Sequence, residues 1–201
     1  VDEFAQLPGV GHKTAFRFVL HLLKKEPEEL RKFGNTFLQL QEQVRYCKEC
    51  FNITHREVCD ICADHRRDRT TICVVEDIRD VMAIENTSSF KGLYHVLGGK
   101  ISPMDGIGPQ DIGIPILLQK LSQEPVSELI LATNPTMEGK ATAHYIATQA
   151  ARFNIRCSRI AQGVPLGGEL EFLDGGTLAH AMLPVNIVLL NVIRYTDGSL
   201  V

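Results

Sequence analysis

The chain has 201 residues, of which 44% are hydrophobic and 6% aromatic, with 21 Lys and Arg against 24 Asp and Glu residues. This composition supports a buried core and excludes a disordered or fibrous protein, and no apolar run reaches the roughly 18 residues of a transmembrane helix. A formal net charge of −3 argues against a uniformly basic nucleic-acid-binding surface.

Charge is distributed unevenly along the chain. Residues 4–25 include four Lys and Arg residues and no acid, whereas residues 161–201 include four acids and Arg194 alone as a base. The N-terminus also lacks the basic and apolar regions of a signal peptide. We therefore expect a soluble, cytoplasmic protein whose N-terminal segment is its most basic part.

Two amphipathic helices are predicted in the N-terminal segment, at residues 12–25 and 28–45, from apolar residues at three-to-four spacing. The motif Leu-Pro-Gly-Val-Gly at residues 7–11 leads into the first of them.

A Gly-apolar-Gly turn at a helix start presents backbone N–H groups to a phosphate. Lys13 and Arg17, four residues apart, project beside Gly9 and Gly11. The three-glycine fingerprint and preceding strand of a dinucleotide site are absent. The pattern predicts a helix-hairpin-helix that binds the DNA backbone without reading bases; a plain turn between helices is the alternative.

Four cysteines form two Cys-x-x-Cys knuckles, at Cys47 and Cys50 and at Cys59 and Cys62. Four thiolates complete a tetrahedral shell and select Zn²⁺, so we predict one structural zinc site that folds a segment too short for its own core. Two redox dithiols are the alternative. The histidines nearby are predicted to be surface residues, and Cys73 and Cys157 to be buried core thiols.

From residue 70 onward, strands alternate with helices, which predicts a parallel sheet flanked by helices. The predicted strands are residues 72–75, 93–97, 129–132 and 156–161. The predicted helices are residues 78–85, 116–121 and 140–153, with a long loop at 98–115 and a further helix at 177–183.

Acidic residues follow the predicted strands: Glu76, Asp77 and Asp80 after the first, and Glu138 after the third. The carboxyl ends of parallel strands meet at one edge, so these acids are expected to share a surface. They could hold Mg²⁺ or dock a basic partner. Residues 170–174 are predicted to be a strand ending in an acid, as in ATPases, but an ATPase is not expected because no phosphate-binding loop motif occurs.

In this order, the motifs resemble the bacterial RecR recombination-mediator family from about residue 7 to residue 182. They are residues 7–15, the four cysteines with 51–54 between them, and residues 72–76, 92–99, 102–109, 132–139 and 163–171. The family's N-terminus usually lies upstream of Val1, and the tail after Met182 departs from its short polar end.

The resemblance implies a Toprim fold for the sheet domain and a protein that binds single- and double-stranded DNA independently of sequence. It implies a tetrameric ring that can encircle DNA in the bacterial nucleoid. It also implies partners, the RecO and RecF proteins, with which it loads RecA recombinase onto single strands coated by single-strand binding protein. Lys13 and Arg17 match the family's DNA contacts.

The resemblance further implies that the protein is not an enzyme. Catalytic Toprim enzymes hold magnesium with a Glu and an Asp-x-Asp pair, and the counterpart of that pair here is Asn134-Pro135-Thr136. Glu76 and Glu138 remain, which allows weak Mg²⁺ binding. The alternatives are a magnesium-dependent phosphotransferase (nuclease or primase) and a protein-interaction module that uses the zinc knuckle.

We therefore predict a chain of mixed α+β and α/β class in four parts. These are a helix-hairpin-helix at residues 1–46, a zinc finger at 47–69, a Toprim domain at 70–161, and a C-terminal oligomerisation segment at 162–201. Glu76, Asp80 and Glu138 are predicted to bind partner proteins.

Overall fold

The computed structural model describes residues 1–160, 164, 167, 169–182 and 192–194. The chain divides into two compact units, Val1–Val44 and Arg45–Val201. None of the helices in these described ranges is long and apolar enough to cross a membrane.

The first unit consists of the helices α1 (Asp2–Ala5), α2 (His12–Leu22) and α3 (Pro27–Gln43). Helix α2 begins as predicted but ends earlier, because its last turn tightens: Lys25 N donates to Leu22 O, three residues back, at 3.0 Å. Helix α3 begins within one residue of the prediction, since Pro27 suits the first helical turn, where no intrahelical acceptor exists for an N–H group.

The second unit begins with short elements around the cysteines. Strands β1 (Arg45–Tyr46) and β2 (Ile53–Thr54) pair antiparallel, and helix α4 (Asp60–Ala63) follows. Elements of this length are not stable alone. Their order therefore depends on the cysteines and on packing against the rest of the unit.

The main sheet has the strand order β4-β3-β5-β6-β7. Its strands are β3 (Asp68–Val75), β4 (Gly92–Val96), β5 (Glu128–Ala132), β6 (Arg156–Ile160) and β7 (Val192–Arg194). The first four are parallel, which confirms the predicted fold class, and β7 pairs antiparallel with β6.

Helices cover both faces of this sheet, and strand alternation divides the core in two. On one face, Ile72 packs beneath α6 (Ile114–Gln123) and α7 (Met137–Ala150). On the other, Cys73 packs with α5 (Ile78–Asn86). Cys73 and Cys157 are core thiols as predicted: burial raises the pKa of Cys73 to about 12 and that of Cys157 to about 11.

The strand predicted at residues 170–174 is wrong. Leu170–Phe172 is a 3₁₀ helix, in which Phe172 N donates to Glu169 O at 3.2 Å. Local bonds therefore satisfy the backbone, and the Leu170 and Phe172 side chains are 63% and 79% exposed. Helix α8 (Gly175–Met182) follows. Some predicted segments lie outside the described residues: residue 161, most of the Gly-rich link at 163–168, residue 183, and the tail outside β7.

Candidate zinc and nucleic-acid sites

The hairpin between α1 and α2 has an open backbone surface. Gly9 lies in the left-handed region at φ +79°, which glycine adopts without steric penalty. Val10 N donates to Leu7 O at 3.0 Å and closes the turn. A Cβ on Gly11 would meet no atom within 4 Å, and no side chain caps the N-terminus of α2.

Lys13 and Arg17 are both exposed on α2, one helical turn apart. Within the described part of the chain, neither side chain has a hydrogen bond or an ion pair. His12, by comparison, lies 4.0 Å from Asp2, between Nδ1 and Oδ1. Two uncompensated cations beside free helix N–H groups form a surface suited to a phosphate backbone.

The first unit also exposes large apolar side chains. On α3, Phe33 is 42% and Phe37 52% exposed, and their rings meet edge to face with centroids 5.0 Å apart. On α2 and α3, further exposed apolar residues are Phe16, Phe18, Leu20, Leu30, Leu38 and Leu40. An apolar face of this extent is typical of a protein-protein interface.

The four predicted zinc ligands come together in the second unit. Cys47, Cys50, Cys59 and Cys62 are all buried, and their sulfur atoms lie within 4.8 Å of one another. Tetrahedral zinc, with Zn–S bonds of about 2.3 Å, separates its sulfurs by about 3.8 Å. Cys50 Sγ and Cys59 Sγ are 3.6 Å apart, so the cluster fits one structural Zn²⁺, as predicted.

Hydrogen bonds among the thiols shift the pKa values of Cys50, Cys59 and Cys62 when no metal is bound. Hydrogen bonds from Cys50 and Cys62 lower the pKa of Cys59, and contact with Cys59 raises the pKa of Cys50. Contact with Cys50 likewise raises the pKa of Cys62. Zinc requires four thiolates, so binding the ion releases protons. Backbone N–H groups stabilise the sulfur charge: Cys59 N lies 3.3 Å from Cys47 Sγ.

His55 and His65 are exposed surface residues, as predicted. In the part of the chain that the structure describes, the four cysteines are the only group of three or more residues placed to hold a metal ion. The acids at the strand ends do not form such a group.

Glu76 lies at the end of β3 and is only 8% exposed. Asn134 engages both of its oxygens at 2.8 Å, through its backbone N–H and its side-chain amide. A Cβ on Gly139 would lie 2.2 Å from Asn134 O and 2.8 Å from Glu76 Oε1, so only glycine fits there. Glu76 therefore holds the loop after β5, and its buried carboxylate is less accessible than its predicted role as a partner contact requires.

Asp80 and Glu138 remain more accessible. Asp80 Oδ2 accepts a hydrogen bond from Asp77 N at 2.9 Å and so completes the capping box of α5. Glu138 pairs with Lys100 at 3.5 Å; the carboxylate's own backbone N–H and then the Lys100 ammonium lower its pKa. The sequence indicated these acids, but not Gly139, whose signal is a glycine in the first turn of a helix.

A cleft of about 730 Å³ lies at the carboxyl ends of β5 and β6. Its walls include Asp80, Lys140, Arg159 and Asp174. Open parallel sheets commonly bind ligands or partners at this end.

Comparison with known protein families matches four consecutive segments. Residues 1–40 match the helix-hairpin-helix of RecR, and residues 44–64 match the four-cysteine zinc finger domain of RecR. Residues 70–161 match the Toprim domain, and residues 163–183 match the C-terminal segment of RecR.

Individual proteins match most of the chain. The Recombination protein RecR of Bacteroides thetaiotaomicron is 49% identical over 183 residues, which cover 91% of this chain and 89% of that protein. That of Porphyromonas gingivalis is 50% identical over 183 residues, 91% of this chain and 88% of that protein. That of Acidothermus cellulolyticus is 49% identical over 182 residues, 90% and 92% of the two chains.

Proposed function

Because the chain belongs to the RecR family of recombination proteins, we propose that it is a DNA-binding recombination mediator in DNA repair. In this proposal it performs no bond chemistry. It acts with RecO and RecF to load RecA recombinase onto single-stranded DNA coated by single-strand binding protein. The resemblance of its motifs to the family supports these partners.

The observation that carries DNA binding is the hairpin, where Lys13 and Arg17 lack partners within the described residues beside an open helix N-terminus. Backbone N–H groups and two cations bind phosphates but carry no base-edge code. Binding to single and double strands should therefore be independent of sequence and should weaken as salt rises.

Replacing both cations tests this proposal. In Lys13→Ala with Arg17→Ala, we expect weaker binding to unrelated DNA sequences by similar factors, because each phosphate contact releases counterions. Plots of log affinity against log salt, measured by fluorescence anisotropy, should become less steep by about one per lost contact.

The matched control removes two cations from α3 of the same unit, Arg31→Ala with Lys32→Ala. Its affinity and salt slope should stay close to those of the unaltered protein. Equal effects of the two double variants would show that net charge, and not the hairpin, determines DNA binding.

The arrangement of Glu76 supports the absence of enzymatic activity in this proposal. Its carboxylate accepts two hydrogen bonds from Asn134. Thr136 Oγ1 accepts a bond from Gly139 N at 3.1 Å and caps α7. The positions corresponding to the Asp-x-Asp pair of catalytic Toprim enzymes thus carry neutral side chains with structural roles, which disfavours a magnesium-dependent nuclease or primase.

We further propose that Asp80 and Glu138 contact a partner protein, RecO or RecF. Asp80 lines the cleft at the strand ends. Glu138 is half-exposed in the first turn of α7, between Pro135 and Lys140, which also line the cleft. Glu76, predicted as a third contact, instead supports this surface by holding the Asn134 loop.

A further inference from the structure

Strand β4 lies at the edge of the described sheet, yet all five of its residues are buried. An edge strand normally leaves backbone groups unpaired and exposed. Here the zinc finger covers this edge: Val96 N donates to Cys50 O at 2.8 Å. The side chain of Arg67, directly before β3, donates to Gly92 O at 3.1 Å.

Phe51, directly after the second zinc-binding cysteine, is one of the apolar residues of the finger that cover the strand, together with Ile61. It packs against the buried cluster that includes Tyr94 and Val96. Its ring meets His95 edge to face, with centroids 5.7 Å apart. His95 is fully buried; its Nε2 bonds to Gly113 O at 2.9 Å, and its Nδ1 has no partner among the described residues. Phe51 therefore shields the edge of β4 around His95 from water.

The backbone of Phe51 is in an unfavourable conformation. Its φ is +64°, in the left-handed region that bulky residues rarely adopt. Two hydrogen bonds close the knuckle around it: Phe51 N donates to Cys47 O at 2.9 Å, and Cys47 N donates to Asn52 O at 2.7 Å. Because Cys47 and Cys50 are both zinc ligands, the bound ion would hold this loop closed.

We propose that Phe51 is a positioning residue that couples zinc binding to the packing of β4. The knuckle imposes the left-handed backbone, and that backbone directs the ring onto the strand. Coupling of this kind is reciprocal. The ring therefore strengthens zinc binding although it is not a ligand, and zinc protects β4 although β4 provides no ligand.

The test compares Phe51→Ala, Phe51→Gly and Phe51→Leu in the full chain. Zinc affinity is measured by competition with a chromophoric chelator, and packing by hydrogen exchange of residues 92–97. In Phe51→Ala we expect zinc affinity about tenfold weaker and faster exchange in β4. Phe51→Gly should expose β4 equally but bind zinc about fivefold more tightly than Phe51→Ala, because glycine adopts the left-handed region freely.

Two controls make the comparison specific. Ile53→Ala removes a half-exposed apolar side chain from the same finger and should leave both readouts unchanged. Exchange of residues 156–160, in β6 and away from β4, should not change in any variant. If hydrogen exchange in β6 also becomes faster in Phe51→Ala, that variant is unfolded more widely and Phe51→Leu becomes the test. Phe51→Leu should restore the protection of β4 and bring zinc affinity to within about threefold of the unaltered protein.

Several results would overturn the coupling. They are unchanged zinc affinity and β4 exchange in Phe51→Ala, equal zinc affinity of the alanine and glycine variants, or failure of leucine to restore β4. Removal of zinc from the unaltered protein without faster exchange in residues 92–97 would also contradict it.

Discussion

Gly139 illustrates how a single residue determines the shape of the surface at the strand ends. Its missing side chain leaves space for Asn134 O and Glu76 Oε1, which a Cβ would approach to 2.2 and 2.8 Å. The result is a buried carboxylate that accepts two hydrogen bonds from Asn134. With Glu76 buried, Asp80 and Glu138 are the more accessible acids of the proposed docking surface.

Neutralising these two acids tests the docking surface at the residue level. Asp80→Asn with Glu138→Gln keeps hydrogen-bond acceptors in place, including the cap of α5, and removes only the charges. We expect binding to RecO or RecF to weaken by roughly tenfold, because charge complementarity across an interface is lost. Surface plasmon resonance measures this, and DNA affinity measured in parallel should stay the same.

The control for this variant neutralises two exposed acids of the zinc finger, Glu57→Gln with Asp60→Asn. These acids pair with Lys48 and Arg56 and lie outside the cleft. An equal loss of partner binding in the control would assign the effect to net charge, and loss of DNA binding as well would indicate misfolding.

Among the elements of the fold, the short strands and helix of the zinc finger depend most on a bound metal ion for their stability. Strands β1 and β2 have two residues each and helix α4 has four, so burial alone does not stabilise them. Their cluster packs around the cysteines, with Val58 and Ile61 beside it.

Zinc binding should weaken as pH falls. In the metal-free protein, the pKa values of Cys50 and Cys62 are raised by neighbouring thiols, so both are protonated at neutral pH. Zinc binds these thiols as thiolates, so both must lose their protons when the ion binds. The stability that zinc contributes is therefore present at higher pH and is lost as pH falls, because protons compete with the ion.

Thermal unfolding with and without a chelator, at several pH values, measures this dependence. Each tenfold change in zinc affinity corresponds to ~1.4 kcal/mol, or about 3–5 °C in the unfolding midpoint for a chain of this size. The midpoint difference between zinc-loaded and chelated protein should shrink from pH 8 to pH 6. A difference that does not vary with pH would contradict thiolate ligation.

At the scale of the whole molecule, we propose that the exposed apolar face of the first unit mediates self-association. Phe33 and Phe37 are about half exposed, together with further apolar residues of α2 and α3. A chain with 21 bases and 24 acids also has little net attraction for DNA. Several hairpins presented by one oligomer would bind more strongly than one, since linked contacts add avidity.

Adding charge to that face tests the proposed oligomer. Phe33→Asp with Phe37→Asp should dissociate it, lowering the mass measured by sedimentation equilibrium to that of one chain, and DNA affinity should fall about tenfold or more. The control places charges on Met82 and Met104, which are 60% and 97% exposed on the second unit. A monomeric mass for the unaltered protein would contradict the proposal, and removal of residues 184–201 measures the contribution of the tail.

The sequence alone determined the features that depend on local spacing. The Cys-x-x-Cys pairs specified the zinc ligands, because four thiolates at this spacing can reach one ion. Apolar periodicity specified the parallel strands and most helices, and the order of motifs specified the family. The same local reasoning failed at Leu170–Phe172, where apolar residues suggested a strand but bonds within the turn satisfy the backbone.

Only the tertiary structure decided which distant residues meet. Glu76 and Asn134 are 58 positions apart, and they contact because β3 and β5 are neighbours in the sheet. Phe51 covers β4 because the zinc finger folds back over the sheet edge, and this requires a left-handed backbone that no sequence pattern indicates for phenylalanine. Spacing along the chain determines elements and ligand sets, whereas contacts between elements depend on strand order and on packing in three dimensions.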